Sequence, residues 1–137
     1  MYQAYFPCNQ KYLMSYYQTK EELMTCLTNE DIIKYCVKRQ KMLYRDLEEL
    51  DTFLENDKQA TDIAIPGEAK IYTKLSLILL NAFFFKIVES KEDLLYIIQN
   101  EIEPFEMEIA QVQITESSKF LSQELLAIKS FIINDNN

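Results

Sequence analysis

An all-α fold, a compact bundle or orthogonal array of about five helices with one central apolar helix, is what this sequence predicts, and three observations carry the prediction. The 137 residues include one glycine and three prolines, too few turn-formers for an all-β chain of this length. Apolar side chains recur at three- and four-residue spacing along most of the chain, the period of an amphipathic helix. One stretch, Leu75 to Phe85 (LSLILLNAFFF), is apolar almost all round, as a helix with neighbours on several sides should be. Hydrophobic residues make up 48%, and a chain of this size buries roughly two thirds of its unfolded surface. A single helical domain over 1–137 is therefore expected, and a wholly disordered chain is excluded.

The elements follow in chain order. Tyr2, Tyr5, Phe6, Tyr12, Tyr16 and Tyr17 make the first eighteen residues rich in aromatics, with Lys11 the lone charge before Lys20. Pro7 forbids one continuous helix from the first residue, so this segment is expected to fold back over the bundle, with docking on a partner as the alternative. Thr19-Lys20-Glu21-Glu22 reads as a capping box opening a short helix through Leu27. Thr28-Asn29-Glu30-Asp31 is a second start signal, with two acids placed to suit the helix dipole. A long helix then runs from Asp31 to Asn56, with Ile32, Ile33, Cys36, Leu43, Leu47, Leu50 and Leu54 on one face.

DKQATDIAIPG, residues 57–67, is the internal loop, and a third helix runs from Glu68 to Glu89. Its apolar run is eleven residues long, or roughly 16 Å of helix, about half the hydrocarbon thickness of a bilayer. It is a core helix and not a membrane span. Ser90-Lys91-Glu92-Asp93 caps a fourth helix. Leu94, Ile98, Ile102, Phe105, Ile109 and Val112 hold one face across Pro104, which implies a kink or two helices in register there. Partial alternation in 105–114 (FEMEIAQVQI) makes a short strand the competing reading. Thr115 to Ser118 introduce a last helix over 116–133, with Phe120, Leu121, Leu125, Ile128 and Ile132 inward.

Composition closes most catalytic classes. With no histidine, the Ser-His-Asp and Cys-His mechanisms, imidazole zinc sites and Glu-x-x-His di-iron bundles are impossible. The single glycine forbids the phosphate-cradling Walker loop and the dinucleotide fingerprint. Cys8, Cys26 and Cys36 are odd in number and widely spaced, which predicts reduced thiols in a cytoplasmic compartment and cannot complete a four-cysteine metal site. Only Lys11 offers Cys8 a nearby cation, so an activated thiolate is not expected. The start, MYQAYFPCNQKYLM, has neither the basic leader nor the cleavage pattern of a signal peptide. No catalytic residue, metal or cofactor is expected, and the chain reads as a non-enzyme.

Charge is the informative remainder. Fourteen Lys and Arg against twenty-two Asp and Glu give −8, and the charge comes in blocks. Residues 28–45 hold five cations and two acids (+3), 46–62 one cation and seven acids (−6), and 91–116 again one and seven (−6). Lys34, Lys38, Lys41 and Arg45 fall at i, i+4, i+7 and i+11, a stripe opposite the apolar face of the long helix. It is either a solvated rim or a contact for an anionic surface. The overall −8 disfavours direct nucleic-acid binding, because the summed field repels phosphate.

Glu101, Glu103, Glu106 and Glu108 surround Pro104 without the spacing or the glycine of a Ca²⁺ loop. Tyr96, Met107 and Ile114 project away from the core face of this helix if it continues past the kink, and are core if the helix packs on two sides. Tyr and Met within a carboxylate rim have the composition of a protein-binding surface. The expected function is stoichiometric inhibition, of the immunity, antitoxin or phage anti-defence type, by occluding a basic nucleic-acid-handling enzyme. Glu48, Glu49, Asp51, Glu101, Glu103, Glu106 and Glu108 would carry the charge, with Tyr96 and Met107 as anchors. The partner is another protein with a basic surface, with no direct nucleic acid and no membrane. The alternatives are an adaptor subunit docking through residues 1–18, or a helical bundle that binds partner helices as viral regulators of apoptosis and signalling do.

Overall fold

The computed structural model describes residues 6–56, 64–111 and 115–134, with side chains over 14–52, 70–110 and 119–134. The fold is all-α. Among the described residues there are α1 (Phe6–Thr25), α2 (Asn29–Asn56), α3 (Ala64–Ile87), α4 (Lys91–Ile97), a π-helical turn (Ile98–Ile102), α5 (Glu103–Gln111) and α6 (Thr115–Ile133), and no strand. Contacts cluster into two compact units, Met1–Leu77 and Ile78–Asn137, and the boundary falls inside α3.

In the first unit, α1 is longer than the sequence suggests. It starts at Phe6 and runs unbroken to Thr25, because Pro7 sits in the first turn, where a missing N–H costs nothing. Thr19 is therefore not a cap. It lies mid-helix with its side chain fully buried, its hydroxyl donating to the Ser15 carbonyl at 2.8 Å and accepting from Arg39 Nε of α2 at 3.0 Å. The Arg39 guanidinium also donates to the Ser15 carbonyl and hydroxyl. One turn away, the Tyr35 hydroxyl donates to Glu22 Oε1 at 2.5 Å. These bonds clasp α1 to α2 beside the buried Tyr16, Leu23, Cys36 and Leu43. The second start signal does cap: the Asp31 N–H donates to Thr28 Oγ1 at 3.1 Å.

The third helix begins at Ala64, inside the stretch 57–67 expected as a loop; Pro66 and Gly67 fall in its first turn, again where proline is tolerated. Residues 57–63 lie outside the described set. From Ile71 to Ala82 every side chain is buried save the half-buried Lys74, as the all-round apolar sequence requires. Its polar members Thr73 and Ser76 are buried with it, and Ser76 returns its hydroxyl to the Tyr72 carbonyl at 3.0 Å.

In the second unit, α3 ends in a Schellman motif. The Ser90 N–H donates to the Phe85 carbonyl at 2.9 Å and the Glu89 N–H to the Lys86 carbonyl at 3.3 Å, with Glu89 in the left-handed region at φ 56°. Ser90 then opens α4, its hydroxyl donating to Asp93 Oδ2 at 2.5 Å. Across α4, the π turn and α5 the buried positions are Leu94, Ile97, Ile102, Phe105 and Ile109. The step from Ile97 to Ile102 is five residues, which in an α-helix would rotate about 140° off the face. The wider i→i+5 turn, closed by the Glu103 N–H on the Ile98 carbonyl, brings Ile102 back into line. It also lies just before Pro104, where an α-helical ladder would clash. A π turn thus stands where the sequence suggested a kink or two helices in register. Residues 105–111 are helical, not strand, and Val112 and Ile114 lie outside the described residues. α6 packs on α5 and the π turn through Leu121, Leu125, Ile128 and Ile132. Near its C-terminal end Phe131 stacks on Phe83 at 4.4 Å, and Lys86 Nζ sits 4.0 Å from the Phe131 ring centroid while donating to the Phe131 carbonyl.

Candidate functional site

The α4–α5 rod presents the acidic surface. On α5, with about 100° per residue, Met107 lies opposite Phe105 and Ile109, at the centre of the outward face, with Glu103 one turn before it and Glu106 and Glu108 at its edges. Exposure agrees: Met107 is 68% exposed and Tyr96 58%. Glu103 and Glu106 are exposed, and Glu101 and Glu108 are half-buried. Glu101 stands within the π turn, and burial pushes its carboxyl above the usual carboxylate range. The solvent-facing charge of this block thus rests on Glu103 and Glu106, with Glu108 partly covered. Leu95, beside Tyr96, is also exposed, at 53%. The sequence reading did not single it out, although of the adjacent pair Leu94 and Leu95 a helix can bury only one on a narrow face.

The other acidic residues belong to the first unit. Glu48 and Glu49 are exposed and, with Arg45 and Thr52, line an open depression of about 350 Å³ on α2. Asp51 does not join them. It faces α3, where its Oδ1 pairs with Lys70 Nζ at 2.6 Å. The Lys34, Lys38, Lys41 and Arg45 stripe is solvent-exposed as its spacing implies. Lys34 pairs with Glu30 at 3.3 Å in open solvent, a contact of little energetic weight. A further exposed apolar stripe, absent from the sequence reading, runs along α1 through Met14, Tyr17 and Met24. Those positions, at i, i+3 and i+10, share one side of the helix.

Nucleophilic chemistry finds no support among the described residues. Burial pushes the Cys36 thiol up to about 12, with the Cys26 thiol adding to it. Cys26 is raised by burial and by Asp31 and Glu22, and its Sγ donates to the Glu22 carbonyl at 3.2 Å. Both are free thiols, poor in thiolate. Cys8 lies outside the described side chains. No cluster of His, Cys, Asp or Glu among the described residues could hold a metal ion, and no helix there is long and apolar enough to cross a membrane. Comparison with family models, curated proteins and solved structures finds no match to this chain.

Proposed function

We propose that this chain is a non-enzymatic, acidic protein-binding protein of the cytoplasm, a stoichiometric inhibitor that occludes the cationic groove of a nucleic-acid-handling enzyme. One observation carries the reading: the apolar and aromatic side chains of Leu95, Tyr96 and Met107 are exposed along the same run of helix as the carboxylates Glu103, Glu106 and Glu108. Tyr and Met are enriched at the centres of protein interfaces, and charged residues belong at their rims. In this mechanism the net −8 raises the encounter rate with a basic partner, and the desolvated anchors supply most of the affinity. Carboxylates then occupy positions that substrate phosphates would take. Glu48 and Glu49 add to the long-range field, and Asp51, held by Lys70, adds little.

The exposed Met14, Tyr17 and Met24 of α1 favour one second reading, an adaptor that docks through its N-terminal helix. A differential capture separates the two. Proteins retained from the native cell by the wild type and lost with a Glu103→Lys, Glu106→Lys, Glu108→Lys variant are the partners the first reading requires. If that variant retains the same proteins while Met24→Asp loses them, the adaptor reading takes its place.

A further inference from the structure

The exposed face of α2 changes sign along its length. Beyond the first turn, where Glu30 pairs with Lys34, Lys34, Lys38, Lys41 and Arg45 occupy its middle turns, and Glu48 and Glu49 follow immediately on the same solvent-facing side. Among the described residues, Lys38, Lys41, Arg45, Glu48 and Glu49 have no ion-pair partner. Adjacent cations on the stripe repel one another within the helix, so this face gains by meeting an external surface of the reverse order. At the change of sign lies the open depression of about 350 Å³ lined by Arg45, Glu48, Glu49 and Thr52. Beside it Tyr44 and Met42 are 49% and 47% exposed, both with apolar bodies turned to water.

A face that is basic and then acidic is complementary to itself when two copies lie antiparallel, because a two-fold axis inverts the order of the charges. We propose that α2 is a self-association surface, pairing with α2 of a second copy about a two-fold axis near residues 45–48. In that register Arg45 of each chain meets Glu48 of the other, and Lys41 meets the turn carrying Glu49 and Thr52. Tyr44 of each chain then stands over the other's depression and fills it with an aromatic ring, an anchor of low conformational cost. The sign change also decides against a nucleic acid as occupant. A polyanion matches Lys34 to Arg45 but is repelled by Glu48 and Glu49, whereas a second copy satisfies both halves. The pairing goes beyond the inhibitor reading and leaves the α4–α5 surface unassigned to it.

Sedimentation equilibrium on the full chain tests the pairing. At about 0.15 M salt the Debye length is near 8 Å, short enough to screen the mutual repulsion of two −8 chains and long enough to spare contact pairs. Concentration-dependent dimer is expected there, weakening roughly tenfold in 1 M salt. Lys41→Glu with Arg45→Glu makes the pairing stretch from 41 to 49 of this face acidic, and Glu48→Lys with Glu49→Lys makes that stretch basic, so each variant alone is expected to be monomeric. An equimolar mixture of the two is expected to form a heterodimer, and the chain carrying all four changes to recover a homodimer. Recovery on mixing cannot come from misfolded variants, so a folding defect is separated from a lost interface. The proposal is overturned by a wild type that stays monomeric to about 0.5 mM, by a dimer indifferent to the double reversals, or by reversals that do not rescue one another. Binding of duplex DNA or RNA by the monomeric wild type, abolished by Lys41→Glu with Arg45→Glu, would assign the stripe to nucleic acid instead.

Discussion

Glu89 is the one non-glycine residue with positive φ among the described residues, and its side chain does nothing that requires it to be there. A left-handed position costs a β-carbon-bearing residue about 1 kcal/mol or more, and glycine fills it without strain. Glu89→Gly is expected to raise the unfolding free energy by about 1 kcal/mol in urea titration. Tyr35 is held the other way. Burial first, and then its bond to Glu22, keep its hydroxyl protonated above the usual tyrosine range. A phenol whose folded pKa is raised contributes stability that is intact below about pH 10 and is lost as pH climbs toward the folded value. Tyr35→Phe should therefore cost about 1–2 kcal/mol at neutral pH, and the gap between variant and wild type should close as pH rises above 10. Glu101 gives the opposite sign at the acid end. Its carboxyl is raised by burial, so the folded state binds its proton more readily and ionised Glu101 opposes folding at neutral pH. Glu101→Gln should be the more stable chain at pH 7, with the advantage vanishing as pH falls through the carboxylate range. An advantage independent of pH would refute that cause. The residues hardest to read from sequence were those whose partners lie far along the chain. Thr19 has the local pattern of a helix cap, and only Arg39, twenty positions away, reveals its hydroxyl as part of an interhelical clasp.

At the scale of elements, the period of the apolar residues made the helices legible and left their ends uncertain. Pro66 and Gly67 look like a break in a linear string, but first-turn positions tolerate both, and α3 starts ahead of them. The π turn was hidden for a related reason. Ile97 and Ile98 are adjacent, and choosing Ile98 as the inward residue restores an ordinary α spacing to Ile102, so no mismatch shows until burial selects Ile97 as well. The turn and Pro104 depend on each other, and this is testable. Deleting Asn100 shortens the step to Ile102 to four residues, an α-helical interval, but leaves proline inside an α-helical ladder. That deletion should cost about 3 kcal/mol, and combining it with Pro104→Ala should recover most of the loss. Additive effects in the double-mutant cycle would show that the turn and the proline are independent.

For the whole molecule, the absence of histidine and the −8 were plain in the sequence, whereas Tyr96 and Met107 were open between core and surface until their exposure was seen. What was not legible was how the acids divide. Asp51 belongs to an ion pair with Lys70 and Glu101 is half-buried, so a count of seven functional carboxylates overstates the usable surface. Charge-based steering should nevertheless leave a kinetic signature. The association rate with a captured basic partner should fall at least tenfold between about 0.05 and 0.5 M salt while dissociation changes little, and stopped-flow mixing would measure it. A rate indifferent to salt would favour an apolar docking mode. The methionines add one more property. Met14, Met24, Met42 and Met107 are all exposed, and no methionine lies in the described core. Peroxide can therefore convert each to its sulfoxide without opening the fold, and the four sites, located by peptide mapping, report on three surfaces: α1 through Met14 and Met24, the edge of the α2 stripe through Met42, and the outer face of α5 through Met107. The chain carries its own set of chemical footprinting probes, and whichever thioether stays reduced in a complex marks the face that the occupant covers.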